Sequence, residues 1–129
     1  MMKIYLLSIC LVLSPLAANA KAWPWPISAH CQNAYIYKTA VAKMAIAPSK
    51  TVLDNALTFA DLLDLSGKDV MTDVEKAKSD PETIEGYKIL GTLKGGDYMR
   101  EQTAYCEKNP SAYIPNYDHL KDSGLITKD

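Results

Sequence analysis

Apolar residues recur along this chain at spacings of three and four, the period of a helix that buries one stripe, and no segment alternates apolar with polar positions over a strand's length. Between Ser28 and Ala47 the recurring positions are Cys31, Ala34, Tyr37, Val41 and Met44, with Ser28 placed to cap the helix and Pro48 to stop it. Tyr35 and Lys38 flank that stripe, as edge packing or as recognition surface. A second helix, capped by Ser49, sets Leu53, Ala56, Leu57, Ala60 and Leu63 against Asp54, Asn55, Asp61 and Asp64 on its other side. Val52, Phe59 and Leu62 widen its apolar surface, so it is either central in the bundle or partly exposed for a partner. Ser66-Gly67 interrupts it, and Val70, Met71, Val74 and Ala77 predict a short third helix.

Asp80-Pro81-Glu82 starts a fourth helix: a capping aspartate, a proline at the first helical position and an acidic residue near the positive helix end. Gly86 and Gly91 weaken this helix, and at least one of them is expected to permit a close helix approach or a bend. Gly95-Gly96 breaks the chain, and Asp97 is expected to cap a last helix that runs to Cys106 and stops at Asn109-Pro110. Beyond it, Tyr113, Ile114, Tyr117 and Leu120 are spaced to lie along a groove, while residues 122–129 have few apolar anchors and are expected to be flexible. The pattern predicts one all-α domain over residues 28–121, a bundle of four to five helices. It follows an extended arm, residues 21–27, in which Trp23-Pro24-Trp25-Pro26 excludes a helix.

The first 20 residues have the form of a cleavable secretory signal: Lys3, an apolar run from Ile4 to Leu13, then Ala18-Asn19-Ala20. A lipidated Cys10 is disfavoured because Ile9, the residue before it, is not small. The short Lys-led signal points to a bacterial periplasm. Cleavage removes Cys10 and leaves Cys31 and Cys106 in an oxidising compartment, where two thiols are expected to pair as one disulfide across most of the chain. A zinc site of His30, Cys31, Cys106 and His119 is the alternative, without a C-x-x-C pair to support it.

Lys and Arg number 14 and Asp and Glu 15, a balance with no basic stripe for nucleic acid and no polybasic patch for a membrane. Catalytic material is sparse. There are two histidines and no Gly-rich phosphate loop, and the adjacent His30 and Cys31 diverge on a helix by about 100°, too far to form a nucleophile–base pair. The chain therefore reads as a non-enzymatic protein-binding protein, without cofactor or metal. Eight tyrosines stand against one phenylalanine, a composition suited to half-exposed contacts. Trp23, Trp25, Tyr35, Tyr98, Tyr113 and Tyr117 are the candidate partner-binding residues.

The segment Tyr105-Cys106-Glu107-Lys108-Asn109-Pro110 resembles the second-cysteine segment of the HdeA/HdeB type of small periplasmic helical proteins, where a helix ends in a cysteine, a polar pair and often Asn-Pro. The resemblance implies a cofactor-free acid-stress chaperone that is a homodimer near neutrality and loosens at low pH to hold unfolding clients, with Cys31 and Cys106 as its structural disulfide. The chain departs from that type in its longer cysteine separation and its Trp-Pro-Trp-Pro arm. A second likeness is carried by Cys31-Gln32-Asn33-Ala34-Tyr35. It is similar to the cysteine and aromatic residue in the first helix of the small periplasmic immunity proteins that neutralise peptidoglycan amidases delivered by type VI secretion. That likeness implies direct binding of a cell-wall toxin.

Overall fold

The computed structural model describes residues 23–128, so the expected signal peptide lies outside the described residues. In chain order the elements are β1 (Trp25–Pro26), α1 (Ile27–Ile46), α2 (Lys50–Leu62), α3 (Gly67–Lys78), α4 (Pro81–Ile89), α5 (Gly95–Lys108), α6 (Pro110–Tyr113), α7 (Tyr117–Asp122) and β2 (Ile126–Thr127). The fold is all-α, five longer helices and two short ones among the described residues. Among these helices none is long and apolar enough to cross a membrane.

The axis of the bundle is α1, which packs against α2, α3, α4, α5 and α6. Its predicted stripe is buried throughout, and Ala40 and Ala42 are buried as well. Small side chains let neighbouring helices approach on more than one face. This resolves the place of α2, where only Ala56 and Ala60 are fully buried while Val52, Leu53, Leu57 and Phe59 lie half-buried against the core. Tyr37, at the middle of α1, donates a 2.6 Å hydrogen bond to Asp73 of α3, which satisfies its hydroxyl inside the core.

Side-chain caps set the starts of α2, α3 and α4. Ser49 accepts from Val52 N, Asp80 accepts from Glu82 N, and Ser66 and Asp69 form a reciprocal capping box. Two expected caps are corrected. The first helix begins at Ile27 after Pro26, which places Ser28 inside the first turn, and α5 begins at Gly95, which leaves Asp97 in the first turn beside Arg100. In both places the preceding backbone is already set, by Pro26 and by packing of Gly95 on the Leu90 carbonyl, so no side-chain cap determines the start.

Cys31 and Cys106 form the disulfide, joining the start of α1 to the end of α5 across 75 positions. The zinc alternative therefore loses its thiolates. Its histidines are also apart: His30 Nε2 lies 2.8 Å from the Leu125 carbonyl, and His119 Nε2 lies 2.7 Å from Asp64 Oδ2.

The tail beyond Asp122 is docked, against the expectation of a flexible end. A Schellman turn closes α7, with Leu125 N bonded to Leu120 O, Gly124 N to Lys121 O, and Gly124 at φ 74°. The turn aims Leu125 back at the N-terminal arm, where its carbonyl accepts from both Trp25 N at 3.0 Å and His30. Ile126 and Thr127 then pair in parallel with Trp25 and Pro26. Two residues of β structure are too short to show as alternation in a sequence.

Candidate functional site

The middle of α1, the length of α4 and the inner side of α5 enclose a cleft of about 330 Å³. Five tyrosines line it: Tyr35 from α1, Tyr87 from α4, Tyr98 and Tyr105 from α5, and Tyr113 from α6. The disulfide fixes the α1–α5 separation that forms one wall, because Cys106 immediately follows Tyr105. Gly86 forms another. A Cβ at that position would overlap the Tyr98 hydroxyl and lie 3.0 Å from Tyr98 Cζ, so the missing side chain is what lets this phenol lie against α4. The expectation of a close approach at Gly86 or Gly91 thus belongs to Gly86, since Gly91 lies beyond the end of α4 and faces open space.

Three of the phenols are pushed up, each chiefly by burial. Burial, then the neighbouring Tyr98, pushes the Tyr35 hydroxyl above the ordinary tyrosine range. Burial followed by Tyr98 and Tyr35 does the same to Tyr113, and burial followed by Glu82 to Tyr98. All three are neutral hydroxyls near pH 7, able to donate as well as accept. Tyr105 meets Tyr113 edge-to-face at 6.3 Å.

Lys38 lies beside them, its Nζ 4.0 Å from the centre of the Tyr113 ring. Burial holds its ammonium below the ordinary lysine range, partly offset by the Asp73 carboxylate. Lys38 also borders a second cleft, with Tyr117, Asn116 and His119. On the other side of Tyr35 runs a more apolar groove between α1 and α5, about 620 Å³, lined by Ile36, Met99, Thr103 and Ala104. Ile36 and Met99 remain 37% and 46% exposed there.

Of the residues expected to bind a partner, Tyr35, Tyr98 and Tyr113 meet in the cleft, and Tyr117 stands in the neighbouring one. The two tryptophans do not join them. Trp25 is half-buried in β1 and Trp23 is exposed on the arm. Sequence reasoning left Tyr87 and Tyr105 out of the binding set and placed Lys38 only at the edge of the α1 stripe. The available signal was Lys38 and Tyr35 at a spacing of three on α1, which places both on one side of the helix.

Comparison with protein-family models, with curated proteins and with solved structures finds no match for this chain.

Proposed function

We propose that this is a periplasmic, non-enzymatic protein that binds one protein partner at neutral pH through the tyrosine cleft and its neighbouring groove, as an immunity protein or inhibitor of a secreted cell-wall toxin. The observation that carries this reading is the preformed cleft, in which tyrosines from four helices and the half-buried Lys38 adjoin exposed Ile36 and Met99. Aromatic anchors beside apolar surface, on elements clasped by a disulfide, suit a rigid and specific contact better than a promiscuous one. The Cys31-Gln32-Asn33-Ala34-Tyr35 likeness to immunity proteins adds to it, because that segment supplies both the clasp and a cleft wall. The test is titration calorimetry at pH 7 against purified cell-wall hydrolases encoded beside its gene. A 1:1 complex that abolishes hydrolase activity is expected, and absence of a complex with every such hydrolase overturns the reading.

A second reading, the HdeA/HdeB-like acid holdase, is favoured by one observation. Asp69 and Asp80, which cap α3 and α4, both have carboxyls held below their ordinary range by the bonds they accept, so acid removes two helix caps. That reading requires suppression of client aggregation near pH 2–3 and not at pH 7.

A further inference from the structure

Two carboxylates, Asp80 and Glu82, and one ammonium, Lys38, line the tyrosine cleft, which leaves it one net negative charge at neutral pH. The ammonium already has company: its Nζ lies over the Tyr113 ring, and the Asp73 carboxylate acts on it as well. Asp80 is the cap of α4, accepting from Glu82 N at 3.0 Å and from the Thr83 hydroxyl at 2.7 Å. Glu82 has no such task. Among the described residues its exposed side chain makes no hydrogen bond or ion pair, and it stands close enough to Tyr98 to add to the upward push that burial exerts on that phenol. The phenol oxygens in the cleft are also without partners. Tyr113 is 6% exposed, and among the described residues neither its hydroxyl nor that of Tyr98 makes a hydrogen bond. A neutral tyrosine offers a ring face to a cation and an oxygen lone pair to an N–H donor. Rings, unpaired oxygens and an unpaired carboxylate together are complementary to a flat cation that carries several donors.

We infer that the cleft receives the guanidinium of an arginine side chain from the partner protein, paired with the Glu82 carboxylate, with the Tyr98 and Tyr113 hydroxyl oxygens accepting from its N–H groups. This rests on the protein-binding reading and specifies the partner's contacting group. An ammonium is the poorer fit, being compact and strongly hydrated, whereas a guanidinium loses its water more readily, stacks on aromatic faces and spreads five donors over carboxylate and phenol oxygens. Lys38 opposes the incoming charge, and its position over Tyr113 and within reach of Asp73 limits that opposition. A protein is the source, and not a free small cation, because Tyr35 also lines the apolar α1–α5 groove with the exposed Ile36 and Met99. Residues flanking the arginine therefore have apolar surface to cover.

The probes are the blocked tripeptide acetyl-Leu-Arg-Leu-amide, its citrulline analogue of the same shape without the charge, its lysine analogue, and methylguanidinium. Each is titrated into the full mature protein labelled at tyrosine and followed by NMR. Saturable shifts at Tyr98 and Tyr113 are expected with the arginine peptide, with binding about tenfold weaker for the citrulline peptide and about threefold weaker for the lysine one. Glu82→Gln should weaken the arginine peptide by about three- to tenfold, with unchanged shifts elsewhere showing that the fold is kept. Lys38→Met, which removes the opposing ammonium, should tighten it by about twofold or more. No saturable shift, equal binding of the arginine and citrulline peptides, or weaker arginine binding in Lys38→Met overturns the inference. Lysine peptide binding as tightly as the arginine one overturns the choice of a guanidinium, and methylguanidinium binding as tightly as the tripeptide overturns the protein source. A toxin complex at pH 7 that is indifferent to Glu82→Gln and Lys38→Met refutes this inference and leaves the binding function standing, whereas arginine-peptide binding without any toxin complex does the reverse.

Discussion

The hydroxyl of Tyr98 rests on the backbone of α4 at Gly86, so closely that a Cβ at Gly86 would overlap it. One absent methyl group thus sets where a cleft-lining phenol stands. Gly86→Ala brings two opposed effects. Alanine favours a helix interior over glycine by about 1 kcal/mol, while the overlap drives the ring out of its place. The expected outcome is a denaturation midpoint changed by no more than about 1 kcal/mol in stability, with the Tyr98 ring resonances shifted and partner binding weakened. Retained Tyr98 resonances in the variant would contradict the packing described here. Gly91→Ala, in open space, should leave those resonances unmoved.

Cys31 and Cys106 are both fully buried and close a loop of 75 positions. Chain-entropy arguments assign such a closure roughly 4.5 kcal/mol, with measured losses for small domains of about 2–5 kcal/mol. The Cys31→Ser/Cys106→Ser double variant is expected to lose stability within that range in urea unfolding. A loss below about 1 kcal/mol would mean that helix packing alone holds α1 to α5.

Removing residues 124–129 should be costly, although a flexible tail would be dispensable. Deletion takes away the carbonyl that His30 and Trp25 share, together with the half-buried Leu125 and Ile126 that pack against the core. Two hydrogen bonds and partial apolar burial amount to about 2–4 kcal/mol. Native-state hydrogen exchange provides a second measurement: the Trp25 amide is expected to be protected in the full chain and to exchange freely in the truncated one.

Acid dependence follows from the two capping carboxylates. The backbone N–H and hydroxyl of Ser66 hold the Asp69 carboxyl below its ordinary range, and the Thr83 hydroxyl, followed by the Glu82 backbone N–H, does so for Asp80. A carboxyl depressed in the folded state contributes stability that is complete above its unfolded value, near about pH 4, and is lost as pH falls through the folded value. Stability should therefore decline from about pH 5 downward, and Asp80→Asn should flatten that decline in a pH series of thermal midpoints. An unchanged slope in Asp80→Asn and Asp69→Asn together would place the acid response elsewhere.

Asn116, itself at φ 67°, donates to the carbonyls of Leu63 at 3.0 Å and Asp64 at 2.9 Å, pinning the tail to the end of α2. Asn116→Ala removes both bonds and places a side chain with a Cβ and no local hydrogen bond in the left-handed region. A loss of about 2–3 kcal/mol is expected, and Asn116→Gly should recover the conformational part, roughly 1 kcal/mol.

The sequence by itself determined the helices, because periodicity and caps are local. The stripe of Cys31, Ala34, Tyr37, Val41 and Met44, the starts at Ser49 and Asp80, and the pairing of Cys31 with Cys106 follow from spacing and residue chemistry within a few turns or from simple cysteine arithmetic. What tertiary structure decided was which surfaces meet. That α1 and not α2 is the axis depends on small residues at Ala40 and Ala42, whose role appears only when neighbours pack on them. The tail docks because a carbonyl at Leu125 meets His30 across 95 positions, and carbonyls carry no sequence signature. The same limit applied to the site. Tyr35, Tyr98 and Tyr113 were legible as half-exposed rings, but their convergence on Lys38 depends on Gly86 and on the α1–α5 clasp, contacts between residues that are distant in the chain.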